Sequence, residues 1–578
     1  DMKKEGEALL SKWEKTGLLE GLNDDSTRNG MARLLENQAK ELLREAASQM
    51  NQGDVGGFAA VAFPIVRRVF GGLIANDLVS VQPMSLPSGL IFFLDFTFEG
   101  TDGDNDRLAE VRGNSVYGGG VVASQLTGGV DLTAANAEKG PYSLNQGYAS
   151  PTGSSVIKST TLLAYGIAGG NGDTTYGLEP SQDALDEAVR FDPDLSGSAV
   201  AVLSVTGSTD INAQLNLDDF VAINLTGSLA TGRLIRRLTT FQTGSTDPSN
   251  PQVAAFKLRM VFEATHANFL WGSNKGLVHD ITSSTGIGFA FPITDNFTST
   301  GAPVGGVLGT TAWDLENNPE IPEINIKVDS VAVTAITKKL KAKWTPELGQ
   351  DLNAYHNLDA EVELTSILSE QIALEIDQEI LEDLIKGATA GTLYWSRAPG
   401  LFVNRETGAE VGAASAAPDF TGTVSEWYET LLETVNDVSA RIHRKTLRGG
   451  ANFIVTSPEV ASILEFTAGF RAAVVVGEDR GTAGAVKVGQ LSKKLDVYVD
   501  PYFPRNVLLV GRRGGSFLES GYVYAPYVPL QVTPTIFGIE DFVPRKGVMT
   551  RYAKKMVRPD MYGLVICRDL IGGAGATS

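Results

Sequence analysis

Residues 346–385 carry the feature that most constrains the fold, an unusually long amphipathic helical pattern. Apolar side chains recur every three or four residues between Leu364 and Leu384, and acidic side chains, among them Glu370 and Asp377, lie opposite them. This pattern predicts a long helix that packs its apolar stripe on a sheet and keeps an acidic face. Gly387 is the expected C-cap.

Downstream of this helix the pattern alternates between helix and strand. Residues 424–447 predict a second helix, which ends in a basic cluster that includes His443. The apolar run 453–457 predicts a buried strand, and Ser457 and Pro458 are a typical N-cap and first-turn proline for the helix that follows. An α+β fold is therefore expected for this part of the chain.

Residues 521–530 read GYVYAPYVPL and combine strand-forming residues with two prolines. Because Pro526 and Pro529 lack the backbone donor that an interior strand needs, the sequence predicts an edge strand. Tyrosine offers a rigid apolar body with a polar tip, which suits a surface that is buried on assembly. Packing within the strand's own domain is the alternative.

Residues 90–98, LIFFLDFTF, form a strand pattern that is apolar on both faces over much of its length. The turn-forming segments on either side bound it sharply. We interpret it either as a long projecting hairpin arm or as a strand sandwiched between two layers.

Between residues 101 and 319 the sequence becomes rich in Gly, Ser, Thr, Asn and Asp, with short alternating runs. Turn signals between these runs predict an all-β insertion, with a small sandwich at about residues 197–264.

The N-terminal segment 1–50 predicts short, charged amphipathic helices with Leu9, Leu10, Trp13, Leu34 and Leu35 on their apolar faces. Residues 51–57 form a hinge-like break. The start of the chain lacks the apolar core of a signal peptide, and no window reaches the length of a membrane span. We therefore expect a soluble product that is cytosolic at first and contacts no membrane.

The composition excludes several function classes. A net charge of -20 argues against a protein whose main task is to grip duplex DNA. The single cysteine, Cys567, excludes an intramolecular disulfide, and four dispersed histidines give no zinc motif.

No motif for catalysis or cofactor binding is present, so we expect no enzyme activity, no cofactor and no metal. The run DGDND at residues 102–106 has calcium-loop spacing, but Arg107 stands where an EF-hand needs glycine and Gly113 where it needs glutamate. A solvated loop tip is the better interpretation.

The segment 545–559, RKGVMTRYAKKMVRP, contains no acidic residue. It has the charge to touch packaged nucleic acid. Pairing with the acidic face of the long helix, within one subunit or between subunits, explains the same charges with at least equal force.

Several segments, taken in order, resemble the major capsid protein of T-even-like tailed bacteriophages. They are ALLSKWEK and RLLENQAKE near the start, the segments 65–89 and 339–381, and then GANFIVTSPEV, LDVYVDPY and GYVYAPYVPL. Together they cover more than half of the chain, whereas the insertion after Thr101 does not align.

The resemblance implies a Hong Kong 97-type capsid fold with an all-β insertion domain. Its expected parts are an N-terminal helical arm (1–57), the arm and start of an extended loop (58–100), the insertion with the loop's return (101–319), a peripheral domain with the spine helix (320–420), an axial domain (421–545) and C-terminal return strands of the peripheral domain (546–578). In that fold, GYVYAPYVPL lies in the axial domain near capsomer axes.

The implied function is mechanical. Copies of the chain assemble into rings of six, with rings of five left open, and the rings close into an icosahedral head that encloses double-stranded DNA. Implied partners are the chain itself, scaffold, portal, vertex and decoration proteins, and the packaged DNA through weak non-specific contact. The virion capsid, assembled in the host cytoplasm, is the expected location. Alternatives are an encapsulin-like compartment shell, a surface adhesin, and a glycan-processing enzyme that lacks a definable acid pair.

We predict that subunit contacts involve apolar, tyrosine and charged side chains from four segments: Phe92, Phe93, Phe96, Tyr522, Tyr524, Tyr527, Glu370, Asp377, Arg551, Lys554 and Lys555. The resemblance also implies a maturation protease that cuts after glutamate in an apolar context. Glu20 is the candidate, and Glu36 lies in a weaker context. We nevertheless expect residues 1–50 to be retained and docked against the inner shell surface or a neighbour.

Overall fold

The computed structural model describes three parts of the chain, with short gaps. They are residues 2–49, residues 63–99, and residues 323–570 without 412–419 and 473–485; between them it describes Ser115 and stretches within 152–292. The chain divides into two compact units, one of residues 1–96, 115–129 and 326–578 and the other of residues 97–114 and 130–325.

The described helices are named in chain order. They are α1 Met2–Glu14, α2 Asp25–Gln49, α3 Ala75–Leu78, α4 Gln182–Ala188, α5 Pro346–His356, α6 Ala360–Gly387, α7 Val424–Thr446 and α8 Pro458–Glu465. None of these helices is both long and apolar enough to cross a membrane.

The described strands are likewise numbered along the chain. They are β1 Ser80–Val81, β2 Ser88–Glu99, β3 Thr152–Val156, β4 Ser159–Ile167, β5 Ala199–Thr206, β6 Asn224–Thr226, β7 Arg233–Leu234, β8 Thr240–Asp247, β9 Asn250–Glu263, β10 Gly288–Pro292, β11 Glu323–Thr334, β12 Ile336–Lys343, β13 Thr392–Ser396, β14 Phe453–Thr456, β15 Phe470–Ala472, β16 Val486–Leu491, β17 Leu495–Val499, β18 Val507–Gly511, β19 Tyr522–Val532, β20 Ile536–Phe537, β21 Pro544–Met556 and β22 Tyr562–Arg568.

The helical pattern at residues 346–385 is two helices, α5 and α6, rather than one. Asn357 ends α5 in the left-handed conformation, and the Asp359 side chain accepts the backbone N–H of Glu361 in the first turn of α6. Gly387 is the last residue of α6, not its cap. A side chain at Gly387 would displace the flexible end of Met556, because its Cβ would lie 2.5 Å from the Met556 Cε.

The long helix α6 packs on a five-stranded sheet in the order β1-β19-β21-β12, with β20 added beside β21. Ile372, Ile376, Ile380 and Leu384 of α6 share one core with tyrosines of β19 and β21 and with Trp13, Leu34 and Leu35 of the N-terminal helices. The sequence therefore predicted the amphipathic helices and most of the sides they bury, although Ile367 of the predicted stripe is 57% exposed.

A second sheet in the same unit has seven strands in the order β13-β22-β18-β14-β17-β16-β15. Helices α7 and α8 bury Leu431, Val435, Val438 and Leu464 against it. The predicted bounds of α7 and the Ser457 cap of α8 are confirmed. Strands β13 and β22 enter this sheet from outside residues 421–545, because sheet membership depends on pairing and not on order in the chain.

The second unit contains a five-stranded sheet, β4-β5-β9-β7 with β8, and a three-stranded sheet, β3-β10-β6. Its described core is not all-β. Leu185 of α4 and Val189, just after it, pack in one cluster with Val200 and Val202 of β5.

A fragment of residues 192–264 should therefore fail to fold, because it lacks β4 and α4, which cover β5. A fragment of residues 130–325 should show a cooperative thermal transition by circular dichroism. Cooperative unfolding of the shorter fragment would contradict this account of the unit's core.

Candidate functional site

The strand β19, which contains GYVYAPYVPL, is not an edge strand. It pairs with β1 in parallel and with β21 in antiparallel orientation. Pro526 and Pro529 are accommodated because the pairing with β21 shifts register between Pro526 and Val528 and again before Gln531. The strand belongs to the sheet under α6, whereas the resemblance implied a place in the axial domain.

Tyr522 and Tyr524 lie in the chain's own core, so the expectation that they contact neighbouring subunits is wrong for the folded chain. Both side chains are only 1% exposed. The Tyr522 hydroxyl donates to Asp383 Oδ2 at 2.8 Å, and the Tyr524 ring lies 5.5 Å from that of Tyr552. Burial raises the pKa of both hydroxyls.

The acidic face of α6 and the basic strands pair within one chain. Lys554 Nζ lies 2.6 Å from Glu379 Oε1 and 2.7 Å from Asp383 Oδ2. Lys338 of β12 reaches Glu379 at 3.2 Å, and Lys546 reaches Glu361 at 2.6 Å. Burial opposes ionisation of Glu379, but hydrogen bonds from Lys554 and from the Tyr552 hydroxyl outweigh it, so its pKa is lowered. Lys554 thus has its partners inside the subunit.

Asp377 is half-buried, and its carboxyl points into the subunit rather than to the surface. Its Oδ2 accepts the backbone N–H of Ile74, at the start of α3, at 3.4 Å. Burial raises its pKa to about 7; the backbone hydrogen bonds from Ile74 and Ala75 oppose this rise, and Asp500 and Asp77 add to it. The Asp377 Oδ1 and the Tyr524 hydroxyl are both buried without a hydrogen-bond partner in the described part of the chain.

Other predicted contact residues do lie at the surface. Glu370 and Lys555 are exposed. Arg551 stacks over the half-buried Tyr527 ring, with its guanidinium carbon 5.4 Å from the ring centroid, a geometry in which the cation is attracted to the ring face. Phe92 is 66% exposed and Phe96 is half-buried. The Phe93 side chain lies outside the described residues.

The strands β2 and β11 form a two-stranded arm with one uncovered apolar face. Leu90, Phe92 and Leu94 are exposed on β2, and Ile326 and Val328 are exposed on β11. On the other face, Ile91 and Val333 pack against Ala525 and Ala553. The arm is therefore apolar on both faces, as predicted, and among the described residues only one of these faces is covered.

Sequence reasoning missed a second exposed apolar surface, at β20 and the turn after it. Ile536, Phe537, Ile539 and Phe542 are all exposed, Ile539 by 93%. The sequence did contain a signal for this surface, because four large apolar residues lie close together there. They follow no strand or helix period.

Glu20 lies exposed in the turns after α1, whereas the neighbouring Leu19 is buried. Its carbonyl accepts a hydrogen bond from Arg67. Glu36 is in the middle of α2, where its carboxylate pairs with Lys12 at 2.6 Å. Of the two glutamates, only Glu20 stands in a non-helical segment; Gly21 and the hinge at 51–57 lie outside the described residues.

The charged clusters of the described residues do not indicate a metal-binding or catalytic site. No group of three metal-ligating side chains occurs among the described residues, and the run at 102–106 lies outside them. Burial raises the pKa of the Cys567 thiol to about 12, which makes it a poor nucleophile.

Comparison with known proteins identifies the family. The family described as Major capsid protein Gp23 matches residues 55–206 and 221–574. The chain belongs to this family, which is a family of structural capsid proteins and not of enzymes.

Curated relatives are major capsid proteins of tailed phages. The protein of Vibrio phage KVP40 is 34% identical over 41% of this chain and 46% of its own length, and that of Enterobacteria phage T4 is 32% identical over 40% and 44%. The matched segments thus span less than half of these relatives. Among solved structures, the capsid of Myoviridae phage XM1 covers 44% of this chain and 80% of its own, at 10% identity and a TM-score of 0.28.

Proposed function

We propose that this chain is the major building block of a phage head, assembling with copies of itself into six-membered rings that close into an icosahedral shell around double-stranded DNA. Rings of five, made either by the same chain or by a separate vertex protein, close the shell at its vertices. Family membership supports this function over an encapsulin-like compartment. Scaffold, portal, vertex and decoration proteins are proposed as further partners, and the packaged DNA as a weak, non-specific one.

The exposed apolar face of the arm carries the proposal. Leu90, Phe92 and Leu94 are exposed alternate residues on one strand of a two-stranded element. An isolated two-stranded hairpin is marginal in water, and large apolar side chains on it need a covering surface. A neighbouring copy supplies that surface in a closed, head-to-tail ring.

The second apolar surface, at Ile536–Phe542, supplies an additional contact between copies. Each such contact needs little free energy, because every subunit in a shell makes several contacts at once. The predicted contact residues that lie at or near the surface are Phe92, Phe96, Tyr527, Glu370, Arg551 and Lys555.

A Hong Kong 97-type organisation is part of the proposal. The long helix α6 with its sheet corresponds to the peripheral domain, the seven-stranded sheet with α7 and α8 to the axial domain, and the arm of β2 and β11 to the extended loop. The second unit is then an insertion in that loop.

Negative-stain electron microscopy of the expressed chain, alone and with its assembly partners, tests the function. Closed shells of uniform size are expected. If the chain stayed monomeric under all these conditions, the proposed function would be contradicted.

Residues 1–20 should be retained in the shell. Trp13 and Leu19 belong to the core shared by α6 and β19, so cleavage after Glu20 would remove part of that core. Intact-mass spectrometry of filled particles should show the N-terminal residues. A dominant species lacking residues 1–20 would identify Glu20 as a processing site instead.

A further inference from the structure

The short segment 73–79, which contains α3, belongs to a core that both sheets of the first unit share. Its buried side chains in that core are Leu73, Ile74, Ala75, Leu78 and Val79. The same core contains side chains of α6, of β19 and of the seven-stranded sheet, among them Ile376, Tyr524 and Tyr498. The segment leads through β1 into β2, which is one strand of the arm. It therefore connects the base of the arm to α6 and to both sheets.

Asp377 of α6 holds the start of segment 73–79 through backbone hydrogen bonds. Its Oδ2 accepts the Ile74 N–H at 3.4 Å, and the Ala75 backbone also hydrogen-bonds to its carboxyl. The Oδ1 atom is buried and has no hydrogen-bond partner in the described part of the chain. An ionised carboxylate needs donors for both of its oxygens, so the charged form of Asp377 is poorly solvated in this position.

The Tyr524 hydroxyl is a second unsatisfied polar group near Asp377. Tyr524 is only 1% exposed, and its hydroxyl has no hydrogen-bond partner among the described residues. Of the charged groups that act on this hydroxyl, Asp377 acts most strongly. A buried polar group without a partner costs free energy, and a water molecule that entered here would satisfy both groups.

Two further carboxyl groups lie around Asp377, one from each side of the joint. Asp77 is on α3, and Asp500, which is 4% exposed, directly follows β17. The charges that act on Asp377 are those of these two residues, and both are negative. They therefore favour the protonated form of Asp377. Other charged or titratable groups act on Asp77 or on Tyr524, namely Arg513, Lys487, Asp496, Tyr498 and Glu379.

Proton release from Asp377 favours a state in which water reaches its carboxyl. Burial, with a smaller effect of the two like charges, raises the pKa of Asp377 to about 7 in the closed arrangement. Once the carboxyl is hydrated, its pKa returns towards the ordinary value of 3.8. Opening is therefore least favourable below about pH 4, becomes easier as the pH rises towards 7, and changes little above that.

We propose that Asp377 is a proton-operated latch on segment 73–79: when protonated it holds the segment closed on α6, and when ionised it lets the segment lift and admit water. The segment moves rather than α6, because α3 has only four residues whereas α6 has 28 and is fixed by its own core. A helix as short as α3 has little stability of its own. The latch acts within one subunit and sets how firmly the base of the arm is held.

Hydrogen exchange of the unassembled full chain between pH 5 and 8, read by mass spectrometry, tests the latch. After correction for the intrinsic pH dependence of exchange, the opening constant of a peptide covering residues 72–82 should rise up to about tenfold per pH unit below pH 7 and level off above it. A peptide from β18 should stay at least about tenfold more protected at every pH, because the segment opens without the sheets. Equal protection of the two peptides, or no pH dependence in the first, would overturn the proposal.

Three single substitutions assign the effect to Asp377. Asp377→Asn should remove most of the pH dependence in the 72–82 peptide. Asp500→Asn should keep it but move its upper end to lower pH, because one negative charge near Asp377 is gone. The matched control, Asp383→Asn, lies on the same helix and pairs with Lys554 at 2.7 Å, so it should leave the pH dependence unchanged. An unaltered pH dependence in Asp377→Asn, or its loss in Asp383→Asn, would overturn the proposal. If Asp377→Asn did not fold, the absence of a shift in Asp500→Asn would overturn it instead.

Discussion

Replacing Phe92 and Leu94 by aspartate should abolish closed shells while leaving the subunit folded. Both side chains are exposed on the arm, so the isolated subunit loses no buried contact. Full burial of such a side chain by a neighbour stabilises by about 1.5–3 kcal/mol, and aspartate would bring a charge with no described partner into that contact. Because this free energy of contact is lost at every subunit, the total loss exceeds what a multivalent shell tolerates.

The measurement is the fraction of chain that sediments as shells, with circular dichroism of the unassembled variant as the folding check. Phe191→Asp is a matched control, because Phe191 is 70% exposed and belongs to neither β2 nor β11. The control should assemble normally. Shell yields for Phe92→Asp/Leu94→Asp equal to those of the unmodified chain would remove the observation on which the proposed function depends.

Asp377→Asn should stabilise the subunit at pH 8 by about 2–4 kcal/mol. The pKa of Asp377 rises from 3.8 to about 7 because the carboxyl is buried. A rise of this size corresponds to about 4 kcal/mol. Since the folded state holds the proton more tightly than the unfolded state, stability is greatest below about pH 4. It falls as the pH rises towards 7 and is level above that.

Asparagine cannot ionise, so the variant should lose this part of the pH dependence and match the unmodified chain near pH 4. Urea unfolding of the unassembled chain between pH 4 and 8 measures this pH dependence of the free energy of unfolding. Asp500 and Asp77 also have raised pKa values from burial, so part of the pH dependence should remain in the variant.

Asp383→Asn, six residues further along α6, is the matched control with the opposite sign. The substitution removes the ion pair in which Asp383 Oδ2 lies 2.7 Å from Lys554 Nζ. Because Lys554 then loses one of its two carboxylate partners, the variant should be less stable at pH 8. If Asp377→Asn were also destabilising at pH 8, the buried carboxylate would have to be ionised and partnered, contrary to this account.

Local patterns determined much of the fold. The stripe is buried from Ile372 to Leu384 as predicted, whereas Ile367 in its first part is 57% exposed. Ser457 with Pro458 correctly predicts the start of α8. These predictions hold because helix periodicity and capping depend on residues within a few positions of one another. Family membership could also be predicted, because the sequence contains several segments that resemble the family and occur in the same order.

Which residues a given side chain contacts could not be predicted in the same way. Whether Tyr522 and Tyr524 face a neighbour or their own core depends on β1 and β21, and only tertiary pairing brings those strands to either side of β19. In β12, Lys339 and Lys341 likewise alternate with Lys338 and Leu340 in the sequence. Which of the two faces meets α6 is set by the packing of the sheet. The sequence by itself determined the helices, the arm's apolar character and the family. The tertiary structure alone decided which charges and aromatic rings are satisfied within the subunit and which remain for other molecules, because burial depends on contacts between segments distant in the chain.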